Sequence, residues 1–167
     1  MAKTFELISS YTASGSVGSI TFSSIASTYT DLCIVVSSRT DRAAVPDYIG
    51  IKPNGSSANL SLRILEGYNG SVSSGTDTYI YGYCPGASAT ASTFGNMQFY
   101  IPNYRSSNYK SVSVESNVEN NASTGGNWMT AGLWSNTAAI TSVVLYPVLG
   151  SNFVQYSTAY LYGVKNA

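Results

Sequence analysis

The sequence predicts an all-β fold: a sandwich, a jelly roll or a barrel. Three observations point to it. No window carries the i, i+3, i+4 apolar spacing of an amphipathic helix. β-Branched and aromatic residues alternate with Ser and Thr along almost the whole chain, as half-buried strands require. Clusters of Gly, Ser, Asn and Pro separate about ten or eleven such runs, the spacing of a many-stranded β fold.

The runs can be taken in order. Phe5 and Leu7 alternate in a first strand, and Val17 to Ile25 supplies a second. Residues 31–38 form the strongest, with Leu32, Ile34 and Val36 on one face. Tyr48, Ile49 and Ile51 make a short strand closed by Pro53-Asn54-Gly55. Leu60, Leu62 and Ile64 alternate cleanly before a turn at Gly67-Tyr68-Asn69-Gly70. Tyr79, Tyr81 and Tyr83 are placed on one face of the next strand, followed by a small, polar surface loop from Gly86 to Ala91. Met97, Phe99 and Ile101 alternate up to Pro102; Val112 and Val114 follow, then Trp128 to Trp134. Val143 and Leu145 lead to Pro147, and Ala159, Leu161 and Gly163 close the series. The period-two positions give a core of Leu32, Ile34, Val36, Leu60, Leu62, Ile64, Phe99, Ile101, Val112, Leu145 and Leu161.

Length and composition narrow the rest. The 167 residues show no linker, fixed-period repeat or charge block, so residues 1–167 read as a single domain. Such a chain folds to a surface of roughly 8,000 Å² against roughly 26,000 Å² when open, enough burial for a true core. Charged residues are only 10%, eight basic against eight acidic, whereas 28 Ser, 15 Thr and 13 Asn make up a third of the chain. Scattered basic residues argue against a nucleic-acid partner. No apolar stretch is long enough for a membrane span, and the N-terminus lacks the continuous apolar segment of a secretory signal. There is no histidine, which removes Ser-His-Asp and Cys-His catalysis and His-rich zinc sites.

Other constellations favour plain structural roles. Asp41, Asp47 and Asp77 are the carboxylates most like calcium ligands, but the Asp41–Asp47 segment is too dilute for a dense acidic loop. Glu6, Glu66, Glu115 and Glu119 could pair for glycosidase chemistry only through folding. No metal or other cofactor is expected. The sequons at Asn54, Asn59, Asn69 and Asn121 match the number chance provides, about three in a chain so rich in Ser and Thr. The tyrosines are more distinctive, fourteen in all. Tyr79, Tyr81 and Tyr83 on one strand face would make a sugar-binding platform, because a phenol offers an apolar face and a polar tip; ordinary sandwich packing is the competing reading. Tyr104, Arg105 and Tyr109, in the loop from Pro102 to Lys110, form a second candidate patch suited to a glycan or to an inter-subunit stack.

Three segments carry a family resemblance. Tyr29-Thr30-Asp31-Leu32 precedes the strongest strand. Trp134-Ser135-Asn136 opens the stretch Trp-Ser-Asn-Thr-Ala-Ala-Ile-Thr-Ser-Val. Asn152-Phe153 leads to Ser157-Thr158-Ala159-Tyr160-Leu161-Tyr162-Gly163. From about Phe5 to Lys165 the chain resembles a family of small virion proteins of tailed bacteriophages that infect aquatic bacteria. The resemblance implies a jelly-roll-like antiparallel β-sandwich without catalytic residues, assembled in the host cytoplasm and displayed on the virion, often as trimers. Asp31 would set a turn into its strand through side-chain-to-backbone bonds, and Gly163 would permit a close approach or a bulge. Cys33 and Cys84 could form one structural disulfide or stand as two separate small core residues; assembly in a reducing cytosol, which the resemblance implies, and the apolar setting of Cys33 favour two unpaired thiols.

The function expected is that of a non-enzymatic accessory protein decorating the head or another exposed part of the particle. Its partners are further copies of itself and other virion proteins. The alternative is the receptor-binding tip of a tail fibre or spike, whose ligand is a host surface glycan; a depolymerase is disfavoured by the missing histidine and the few acids. Self-association has a physical motive. Exposed edge strands need charge, Pro or a partner to protect them, and charge is scarce here. A closed ring covers every copy equally, and the preference for a trimer comes from the resemblance.

Overall fold

The computed structural model describes residues 4–122 and 124–165. Among them are twelve strands and no helix: β1 (Phe5–Thr12), β2 (Ile20–Phe22), β3 (Asp31–Ser38), β4 (Pro46–Pro53), β5 (Leu60–Tyr68), β6 (Ser71–Asp77), β7 (Tyr81–Pro85), β8 (Gly95–Ile101), β9 (Lys110–Val118), β10 (Gly126–Trp134), β11 (Val143–Pro147) and β12 (Thr158–Val164). They form two antiparallel sheets, one of eight strands in the order β1-β12-β3-β8-β9-β10-β5-β6 and one of four in the order β2-β11-β4-β7. The sheets pack face to face as a β-sandwich.

Alternation explains most of the strands. In β9 every second residue is buried, from Lys110 through Val112, Val114 and Ser116 to Val118, and β5 and β8 follow the same rule. All eleven residues of the expected core are inside, none more than 7% exposed. Ile34, Val36, Phe99 and Leu161 of the large sheet join Ile49, Ile51, Val143 and Leu145 of the small one in the main cluster. The accessible surface, 8012 Å², matches the value that size alone predicts.

Four features depart from the sequence expectation. The segment after the turn at Asn69-Gly70 is itself a strand, β6, although Ser-Val-Ser-Ser-Gly-Thr-Asp has no apolar alternation. The turn creates it: Asn69 and Gly70 both have positive φ, 51° and 78°, and a two-residue turn of that kind returns the chain along the strand it has just left. In β1, Phe5 and Leu7 alternate as expected but face solvent, and Ile8 is the residue that packs on the core. The second strand shrinks to Ile20–Phe22, with Val17 held by an isolated bridge to Phe153. Tyr79 lies before β7 rather than in it.

Gly163 does mark a close approach. A Cβ there would sit 2.2 Å from Cγ of Tyr29, so the Tyr29 ring lies against the backbone of β12. Asp31 departs from its expected role. Its carboxylate accepts the Tyr100 hydroxyl at 2.6 Å and the Asn103 N–H at 2.8 Å, so it ties β3 to the end of β8 instead of building its own turn. That hydrogen bond, with burial, pushes the Tyr100 phenol up to about 12.

Candidate interaction surface

The tyrosine platform is not on the surface. Tyr81 and Tyr83 are buried, 7% and 8% exposed, and only Tyr79 is substantially open. The reason lies in where β7 runs. It is the last strand of the small sheet, and every one of its five residues is buried. On one side of β7, Gly82 meets the β9 side chains: a Cβ there would lie 3.0 Å from Val114 Cγ1. On the other side, Tyr83 stacks on Trp128 of β10 with ring centroids 4.1 Å apart and 8° between planes.

Around that stack an aromatic cluster closes one end of the sandwich. Tyr48 of β4 stacks on Tyr81 at 4.8 Å and meets Tyr83 edge-on at 4.6 Å; Tyr68 of β5 lies 5.7 Å from Trp128. Glu66 is the polar hub, accepting the Trp128 indole N–H at 3.0 Å and the Ser73 hydroxyl. Burial, reinforced by the Asp77 charge, pushes the Tyr81 phenol up to about 12, and burial raises Tyr83 further. Both phenols stay neutral in any ordinary buffer. The signal that could have revealed this lies in composition and not in alternation: residues 79–85 contain no charged, hydroxyl or amide side chain apart from the phenols, the near-continuous apolar run of a strand packed on both faces.

The second patch divides in the same way. Tyr104 is buried, and its hydroxyl donates to the Ala26 carbonyl. Arg105 is hydrogen-bonded to the Ser27 carbonyl. The two neighbours thus clasp the segment between β2 and β3. Tyr109 remains well exposed. Of the six candidates, Tyr79, Arg105 and Tyr109 are outside and Tyr81, Tyr83 and Tyr104 are inside, so they do not make one continuous surface.

The structure uses its scarce charges as internal ties. Asp47 is fully buried and accepts from Thr40 Oγ1 at 2.6 Å, the Tyr48 N–H at 2.8 Å and the Gly150 N–H at 3.1 Å. Asp41 accepts from the N–H groups of Ser151 and Asn152 and from Asn152 Nδ2, all within 2.9 Å. Together they fix the connection between β11 and β12. Arg39, also buried, donates to the carbonyls of Ala87, Ala89, Thr90 and Thr93 at 2.7–3.2 Å. It pins the expected surface loop after β7 to the body of the protein. Lys110 is solvated by the carbonyls of Asn108 at 2.7 Å and Asn136 at 3.2 Å, and burial lowers its pKa. Among the described residues no group of three or more His, Cys, Asp or Glu side chains could hold a metal ion. Ser123, in the fourth sequon, lies outside the described residues. Cys33 and Cys84 are both buried and free, and burial raises both thiols.

Among the described residues the exposed apolar side chains that lie in strands are all on the large sheet, while Tyr79, Tyr109, Leu149 and Tyr156 are exposed in connections. Leu65 of β5 and Met129 of β10 are paired directly across the ladder and point outward, 51% and 60% exposed. Val72 of the adjoining β6 is 78% exposed. Beside them an open depression of about 590 Å³ is lined by Arg63, Leu65, Tyr100, Pro102 and Met129. Phe5 and Leu7 of β1 lie at the opposite end of the same sheet. The fold and this surface define a two-sheet antiparallel β-sandwich whose broad outer face runs from edge strand β1 to edge strand β6. Compared with protein-family models, curated proteins and solved structures, the chain matches none.

Proposed function

We propose that the chain is a non-enzymatic structural protein of a tailed-bacteriophage particle, an accessory component displayed on the exterior that works by associating with copies of itself and with other virion proteins. One observation carries the reading. Exposed apolar side chains concentrate on the outer face and edges of the eight-stranded sheet, with Leu65, Met129 and Val72 at one end and Phe5 and Leu7 at the other. Exposed apolar patches of this kind, one at each end of the sheet, suit protein partners. The absence of histidine from the sequence and the use of Asp41, Asp47 and Arg39 as structural ties agree with a role without chemistry. The receptor-binding alternative loses its main support, because two of the three ladder tyrosines are core residues. The phage assignment itself rests on the family resemblance.

Quantitative mass spectrometry of particles purified from a lysate of cells carrying the encoding genome tests the reading. Many copies per particle, with antibody label over the head or another repeated surface, are expected. A handful of copies confined to a fibre tip would favour receptor binding, and complete absence from washed particles would overturn a virion role.

A further inference from the structure

We propose that β6 is a self-docking edge: Ser71–Asp77 of one copy pairs antiparallel with Ser71–Asp77 of a second copy about a two-fold axis at Ser74, joining two eight-stranded sheets into one. The inference rests on the reading of the chain as a self-associating structural protein. It replaces the three-fold expectation with a two-fold contact.

The argument starts from the free edges. Four strands end a sheet: β1, β6, β2 and β7. Three of them are blunted. β1 has a register break between Leu7 and Ser9, and its Glu6 is bridged to Lys165 at 2.7 Å; bulges and charge are both recognised defences of an edge. β2 has only three residues. β7 is buried throughout and ends in Pro85, and its Tyr83 N–H is already bonded to Ser116 Oγ at 3.0 Å. β6 has none of these defences. It pairs with β5 in unbroken register over all seven residues, and six of the seven are exposed. It contains no Pro and no Lys, and its single charge, Asp77, sits at the very end.

The hydrogen-bonding groups of β6 then set the register in which a second copy pairs. In a hairpin closed by two residues, the pair flanking the turn, Tyr68 and Ser71, exchanges hydrogen bonds, and bonded pairs alternate from there. Ser71, Ser73, Gly75 and Asp77 therefore point their backbone groups at β5, and Val72, Ser74 and Thr76 point theirs at the open edge. That set is symmetric about Ser74. Two copies related by a dyad there bring Val72 opposite Thr76 of the second copy and Ser74 opposite itself, and all six outward N–H and six outward C=O groups of the two strands are used or flanked in one ladder. No like charges meet, because each Asp77 falls opposite a Ser71, about 20 Å from the other Asp77. The register also sets the Leu65–Met129 pair of each copy in the same row as Ser74, so the two apolar patches flank the dyad on one face.

Disulfide trapping reads this register directly. Opposed residues of a bonded antiparallel pair have Cα atoms about 5.5 Å apart, within disulfide reach, whereas two Val72 residues would be about 13 Å apart. In a mild thiol–disulfide buffer, Ser74→Cys should form a covalent dimer on a non-reducing gel several-fold faster than Val72→Cys alone, and a mixture of Val72→Cys with Thr76→Cys should recover the dimer. Wild-type protein is the background control, since Cys33 and Cys84 are buried. Equal rates for Ser74→Cys and Val72→Cys, or no dimer from either, would overturn the proposal. Light scattering on the wild type separates this from failure of the broader reading. A trimer or larger species without Ser74 trapping leaves self-association standing through another surface. A mass that stays at 17.7 kDa at every concentration, with no trapping, removes both.

Discussion

Asp47 illustrates how a chain with few charges spends them. A carboxylate with no solvent contact survives only if its lone pairs are filled, and three donors fill these, one from its own strand and two from separate connections. Asp47→Ala would leave the buried Thr40 hydroxyl and the half-buried Gly150 N–H without this acceptor. Lost bonds to a charged group, together with stranded donors, should cost on the order of 3 kcal/mol, seen as a lower urea midpoint at unchanged slope. A loss below about 0.5 kcal/mol, the scale of a surface substitution, would show the connection to be held by other means. Asp41 adds a pH signature. Slight burial pushes its carboxyl up, but the bonds from Asn152 and Ser151 outweigh that and hold the pKa below the ordinary carboxylate range. Its contribution is therefore complete above the unfolded pKa and is lost as pH falls from about 4 through the lower folded value. Asp41→Asn should flatten that acid limb of stability relative to wild type, and parallel acid limbs would count against the assignment. Neither role was legible in the sequence, because each depends on a loop more than a hundred positions away.

At the scale of the element, the sequence spoke clearly wherever one face of a strand is buried and the other is wet. β3, β5, β8, β9 and β12 fall close to the positions that alternation predicts. It failed in two informative places. β6 exists because of the turn before it, so its own residues carry no pattern to read. β7 does carry a pattern, yet period two tells which residues share a face and says nothing of whether that face is covered. The ladder of Tyr81 and Tyr83 looked like a platform and is a filler between sheets. The distinction is measurable. Tyr83→Ala removes a ring stacked on Trp128 in a closed cluster and should cost about 3–5 kcal/mol, as for other large aromatic truncations in cores. Tyr79→Ala, at an open position, should stay within about 0.5 kcal/mol. Equal, small effects at the two positions would return the tyrosines to the surface.

On the scale of the whole molecule, the strand order sets how the chain must find its fold. Only three neighbouring pairs of the large sheet, β5–β6, β8–β9 and β9–β10, are also neighbours in sequence. β1 pairs with β12, β3 lies between β12 and β8, and every pairing of the small sheet joins distant segments. This order could not be read from alternation, which fixes the face of a strand but not its neighbour. Loop closure must precede the contacts that repay it, so all-β chains of this kind fold in milliseconds to seconds. The protein carries its own reporters, since its two tryptophans, Trp128 and Trp134, are both buried in β10. Trp128 acquires its stacking partner Tyr83 only when β7 of the small sheet docks on the large one. Refolding from urea should therefore show a tryptophan fluorescence change in the millisecond-to-second range, with the Trp128 component developing as the sheets close. Trp134→Phe isolates that component. In this variant, Tyr83→Leu should remove most of the stacking signal and keep the slow time scale. A complete fluorescence change within microseconds would mean that the local β9–β10 hairpin buries Trp128 by itself, and that sheet closure does not control folding.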